Sequence, residues 1–120
     1  MKAITTPEQI NRIIDEARIH AYAAAQDFFL NKMDGVDGGS CGFAWVNIYK
    51  YDGKDIKGNT KIGRALKAAG VEQDYRRKFQ IWNPSGYPVQ NIDTLEAGAR
   101  AAAEVFKRYG FEAYMGSRLD

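Results

Sequence analysis

Four groups of residues in this chain are of types that do chemistry. The first surrounds Cys41, the single cysteine, in "GGSCGFAW", residues 38–45. A nucleophilic thiolate needs a neighbouring base or a helix N-terminus to lower its pKa. His20, the single histidine, is the one imidazole available, and nothing in the spacing requires the two to meet. A strand pattern follows Cys41, so no helix dipole assists it. A small, half-buried residue where a strand begins accounts for Cys41 more simply. The second group is His20 with Glu16 and Asp27, four and seven residues away on nearly one line of a helix. Such a row could tune a base or hold a metal. One imidazole with two carboxylates falls short of a usual ligand set, and a solvated helix flank is the simpler account. Cys41 and His20 therefore stand as catalytic candidates only, and no metal is expected.

The third group is "KDIKGNTKIGR", residues 54–64, where Lys57, Lys61 and Arg64 surround an Asn59–Thr60 helix start. Free backbone N–H groups there, with the lysines, would form an anion site. A capped helix with solvated lysines is the plainer account. Neither GxxxxGK[ST] nor GxGxxG occurs, so no cofactor is expected. The fourth is "YRRKFQIWNPSGYPVQN", residues 75–91. It interleaves Arg76, Arg77 and Lys78 with Tyr75, Trp82 and Tyr87, and ends near Gln90. Cations among aromatic rings can neutralise phosphates and stack bases. On a strand, Lys78, Gln80 and Trp82 share a face, with Phe79 and Ile81 behind them. Arg118 completes the set. It could fork a phosphate or pair with Asp120, the terminal carboxylate or a neighbouring subunit.

The elements that must position these groups alternate, and they predict an α/β (or α+β) fold in the order α-β-α-β-α-β. The first helix starts at Thr6-Pro7 with Gln9 completing a capping box. Its apolar stripe (Ile10, Ile13, Ile14, Ala17, Ala21, Ala24, Ala25, Phe28) runs to about Met33. A helix that long in so small a domain is expected to project in part or to meet another subunit. "GFAWVNIYKY" reads as a central strand covered on both sides, with Phe43, Trp45, Asn47, Tyr49 and Tyr51 on one face. "KIGRALKAA" is a second helix and "KFQIWN" a second strand. A third helix is expected to be capped by Asp93 with Glu96, and "FEAYMGSR" is the last strand. Helices between successive strands suggest parallel crossovers in a narrow, three-stranded sheet. Two exposed sheet edges and the long helix argue for a homo-oligomer.

Bulk properties set the limits. The 120 residues are 45% hydrophobic and 27% charged, which is the composition of one globular domain spanning 1–120. One cysteine excludes an internal disulfide. No apolar run approaches the roughly 18 residues of a membrane span, and the N-terminus has no signal-peptide core, so a cytoplasmic location without membrane contact is expected. A net charge of +2 is too small to argue for nucleic acid by itself.

The stretches "CGFAWVNI", Trp82-x-Pro84-Ser85-Gly86, "EAGARAAAEVF" and the terminal "SRLD" resemble a set of small proteins encoded by tailed bacteriophages. The resemblance implies synthesis in the cytoplasm of an infected host and no particular chemistry. Three function classes follow from the residues. The first is a non-catalytic protein that captures an anionic small molecule or nucleotide through Lys57, Asn59, Thr60, Lys61, Arg64, Arg77, Gln80, Trp82, Gln90 and Arg118, with single-stranded nucleic acid as its variant. In a phage setting the ligand could be a host-defence signal. The second is a factor that binds a host protein through the long helix and the sheet edges. An enzyme using Cys41 or His20 is the third, and no acid–base pair at fixed spacing supports it.

Overall fold

The computed structural model describes residues 3–120. Helix α1 (Pro7–Lys32) begins as its sequence predicts. The Thr6 side chain accepts from the Gln9 backbone N–H, Gln9 reaches back to the Thr6 N–H, and Pro7 occupies the first turn. Then come β1 (Gly42–Tyr51), β2 (Lys54–Asp55), α2 (Lys61–Ala68), β3 (Glu72–Gln73), β4 (Phe79–Trp82), α3 (Ile92–Arg108) and β5 (Phe111–Leu119).

The mixed α/β class stands, but the sheet has five strands, not three, and all its pairings are antiparallel. β1 is central, with β5 along one side and β4 then β2 along the other, and β3 lies outside β4. The added strands β2 and β3 have two residues each, too few to show a period. A local signal for β2 does exist in Asp52-Gly53. Both residues take positive φ, 53° and 76°, as a tight hairpin turn requires. One expected crossover survives in altered form. β4 and β5 both run antiparallel to β1, hence parallel to each other, and α3 carries the chain across between them.

Helices α1 and α3 form one layer over one face of the sheet. Ile10, Ile13, Ala17, Ala21 and Ala25 of α1 are buried, and so are Leu95, Gly98, Ala99, Ala102 and Phe106 of α3. Small residues set the closeness of the layer: a Cβ on Gly98 would stand 3.1 Å from the Ala21 carbonyl oxygen and 2.7 Å from Ser85 Cβ. Beneath them Ala44, Val46, Ile48, Phe79, Ile81 and Ala113 complete the core. Each large apolar side chain so buried contributes roughly 1.5–3 kcal/mol. The far end of α1 does not stand free, because Tyr22 and Phe29 pack on Tyr87 with ring centroids 5.2 and 5.6 Å apart.

Two further corrections concern faces and caps. Among the described residues the other face of the sheet carries no helix, so there β1 is covered on one side only. In addition, a bulge in β1 between Ile48 and Lys50 shifts the register, pairing Tyr51 with the buried Phe111. Tyr51 therefore turns inward, packing on Phe111 with ring centroids 4.8 Å apart and accepting the Ile4 N–H at its hydroxyl. Helix α3 is capped by the buried Asn91 rather than Asp93. Asn91 wins because its side chain also ties the preceding loop by donating to the Gly38 carbonyl.

Glu16 belongs to the helix layer and not to a histidine row. It accepts from Tyr109 Oη and lies 4.0 Å from Arg108. The hydrogen bond to Glu16, then burial and the carboxylate charge, raise the Tyr109 pKa above its ordinary value, against a smaller effect of Arg108. The folded state thus holds this proton more tightly than the unfolded chain. Its stabilising effect is complete below about pH 10 and is lost as pH rises through the folded value. Melting curves should therefore show wild type losing stability more steeply than Tyr109→Phe above about pH 10.

Candidate ligand-binding site

The uncovered sheet face is a row of rings. Trp45 and Trp82 sit directly opposite on β1 and β4 and stack, with centroids 4.7 Å apart and planes 26° apart. Phe43 meets Trp82 edge-on at 6.1 Å. The Arg118 guanidinium, from β5, lies 5.3 Å from the Phe43 ring and 5.9 Å from that of Trp82. Among the described residues no carboxylate pairs with Arg118, so of the partners read from sequence Asp120 is not the one it meets, and the guanidinium packs on rings instead. Trp45 lies flat because its β5 partner is Gly116, where a Cβ would come within 2.5 Å of the indole Nε1.

Polar side chains hold the rings in place. Trp45 Nε1 donates to Asn47 Oδ1 at 3.1 Å, Gln80 Nε2 donates to the same oxygen at 3.0 Å, and Trp82 Nε1 donates to Gln80 Oε1 at 3.1 Å. Gln80 beside Trp82 is thus explained: its amide links the anchor of one indole to the other. The rings remain accessible, with Trp82 40% and Phe43 39% exposed. Gln90 joins them at a pocket of about 170 Å³ shared with Phe43 and Trp82.

Beyond the other end of β4 lies a cleft of about 610 Å³ lined by Lys57, Gly58 and Asn59 from the loop before α2, Lys67 from α2, and Gln73, Arg76, Arg77 and Lys78. Among the described residues five cations line it and no acidic side chain does. Asp74 shapes this turn: its Oδ1 accepts from the Arg76 and Lys78 backbone N–H groups at 2.8 Å each. Arg77 takes φ 63° there, and its carbonyl accepts from Gln73 Nε2 at 2.9 Å. The turn therefore presents three consecutive cations on a fixed backbone.

Of the residues singled out from sequence, Lys57, Asn59 and Arg77 meet at the cleft, and Gln80, Trp82, Gln90 and Arg118 meet at the ring face or its pocket. Lys61 and Arg64 lie outside the cleft lining. Thr60 is spent on structure, donating to the Lys57 carbonyl at 2.6 Å and accepting the Gly63 N–H at 3.2 Å. The helix start thus uses a donor that an anion would need. Sequence reasoning missed Lys67 as a site residue, because only the fold sets α2 against the 73–78 turn. It also missed Phe43, Trp45 and Asn47, although their alternation along β1 was a usable signal.

The catalytic candidates stay apart from this site. Cys41 is exposed, not half-buried, and its thiol meets Gln90 Oε1 at 3.6 Å, with no base at hand among the described residues. It does immediately precede the central strand. His20 is exposed, and Asp27 accepts from Asn31 instead, at 2.7 Å. Among the described residues no cluster of three metal-ligating side chains occurs, and no helix is long and apolar enough to cross a membrane. Compared with protein-family models, curated proteins and solved structures, the chain matches none of them.

Proposed function

We propose that this is a binding protein for a ligand that joins a flat aromatic ring to phosphate groups, which is the chemistry of a nucleotide. The observation that carries this reading is the pairing, along one short strand, of an accessible indole face backed by Arg118 with a cleft lined by five cations. Stacking holds a base whatever its identity, and cations hold phosphate. In the phage setting that the sequence resembles, such a protein would sequester a host signalling nucleotide.

A second reading is favoured by one dimension. Lys78 and Trp82 lie four residues apart, about 13 Å along an extended chain. A dinucleotide or a short single strand spans that more readily than a mononucleotide.

A thermal-shift series tests both readings with mononucleotides, cyclic dinucleotides, short oligonucleotides and inorganic pyrophosphate. A ligand at a hundred times its Kd should stabilise by about 2.7 kcal/mol, a shift of several degrees. Equal shifts with pyrophosphate and with every nucleotide would remove the role of the rings. Absence of any shift would move the ring face to a protein partner. A single strand would show affinity falling steeply with salt, and a small nucleotide much less so.

A further inference from the structure

We infer that β5 is a self-complementary edge through which two copies of this chain join their sheets. Among the described residues β5 is hydrogen-bonded to β1 alone, so its other edge is open over nine residues. The opposite edge of the sheet, β3, has only two. Natural sheets keep exposed edges short, or interrupt them with proline or inward charges. Across Ala113–Ser117 β5 itself carries none of these devices, and the one charge near this stretch is Lys107 of α3, which reaches over the Tyr114 ring.

The backbone phase of this edge is legible from its neighbours. Asn83 N–H donates to the Ala44 carbonyl on the β4 side, and Asp120 N–H donates to the Cys41 carbonyl on the β5 side. Even-numbered residues of β5 near this end therefore bond to β1, and Ala113, Met115 and Ser117 direct their N–H and C=O groups outward. A two-fold axis at Met115, the middle of the strand, aligns these outward groups and uses its full length. Antiparallel pairing then sets Met115 against Met115 of the partner subunit and Ala113 against Ser117 of the partner subunit.

That single register also matches the side chains. On the ring face Glu112 falls opposite Arg118 of the partner subunit, whose guanidinium must turn from the Phe43 and Trp82 rings toward the edge to meet it, and Tyr114 falls opposite Gly116 of the partner subunit. Because the interface is isologous, each pairing occurs twice. Beside the strand, a groove of about 260 Å³ lined by Arg100, Ala103, Glu104, Lys107, Tyr114 and Met115 leaves room for the second copy. Lys107, whose Nζ lies 5.0 Å from the Tyr114 ring, swings off this edge as the strand docks. The Glu112–Arg118 charge match, made twice across the two-fold axis, is what selects a copy of this chain over an arbitrary strand.

The test is charge reversal read by light scattering and hydrogen exchange. Wild type should be a dimer with slowed exchange at the Ala113, Met115 and Ser117 amides. Glu112→Arg alone and Arg118→Glu alone should each weaken the dimer about tenfold or more by placing like charges opposite one another. The double variant Glu112→Arg/Arg118→Glu should restore it. A wild type that stays monomeric at every attainable concentration would overturn the inference. So would a dimer indifferent to the single reversals, or a double variant that stays monomeric. Both positions are exposed, so the variants keep the fold. None of these readouts depends on a nucleotide.

Discussion

Asn91→Ala should lower the melting temperature by roughly 10 °C in a domain of this size. Asn91 is only 2% exposed, and its side chain does three things at once. Its Oδ1 accepts the Thr94 N–H at 2.9 Å and the Thr94 hydroxyl at 3.0 Å, and its Nδ2 donates to the Gly38 carbonyl. Loss of the helix cap and the groups left unpaired inside together cost roughly 2–4 kcal/mol. The junction reaches further than α3. Asp37 accepts the Gln90 and Asn91 backbone N–H groups at 3.0 Å each, and Ile92 N–H donates to the Ser40 carbonyl at 2.9 Å. These bonds hold the 37–41 loop where it delivers Gly42 and Phe43 into β1. Asn91→Ser keeps an acceptor for the cap but cannot span to Gly38, so its melting temperature should fall about midway. Melting within about 2 °C of wild type for Asn91→Ala would show that the junction does not hold the loop.

On the proposed nucleotide reading, Trp82→Ala should weaken binding roughly 10- to 100-fold, since removal of a stacked ring costs about 1–3 kcal/mol per base. Its effect on folding should be smaller. Trp82 is 40% exposed, and the alanine variant forgoes the Trp45 stack, the Phe43 edge and the hydrogen bond to Gln80. Trp45→Ala makes the contrast. Trp45 is half-buried over Gly116 and anchored to Asn47, so its removal should cost stability as well as affinity. Trp82→Phe keeps a ring and loses the indole N–H, and should bind between wild type and alanine. Isothermal titration at fixed salt, with melting curves of each variant beside it, separates the two effects. Unchanged affinity for Trp82→Ala in a folded protein would remove the rings from the site.

Legible in the chain itself is whatever local order writes. The Thr6-Pro7-Gln9 start of α1, the alanine stripe through Ala17, Ala21 and Ala25, the alternation of β1 and the span of β5 are nearest-neighbour properties. They follow from helical and strand periods and from which side chain can cap an amide. The Asp52-Gly53 hairpin is a local signal of the same kind, although the strand after it is too short to show a period. The capping of α3 misleads because Asp93 and Glu96 satisfy the local rule, while Asn91 satisfies that rule and a distant carbonyl together.

Pairing direction and face coverage come from interactions between distant parts of the chain. Whether β1 meets β4 as an antiparallel neighbour depends on where α2 and α3 pack, and that is set by the summed burial of residues far apart in sequence. The bulge at Tyr49 shows the same dependence: one unpaired residue turns Tyr51 into the core, against a strict two-residue period. Lys67 and the 76–78 cations form one cleft only because α2 is docked beside that turn. Residue type and spacing alone marked the side chains able to stack rings and hold phosphate. Long-range packing gave them a shared open surface, because helices α1 and α3 both cover one face of the sheet and leave the indoles on the other.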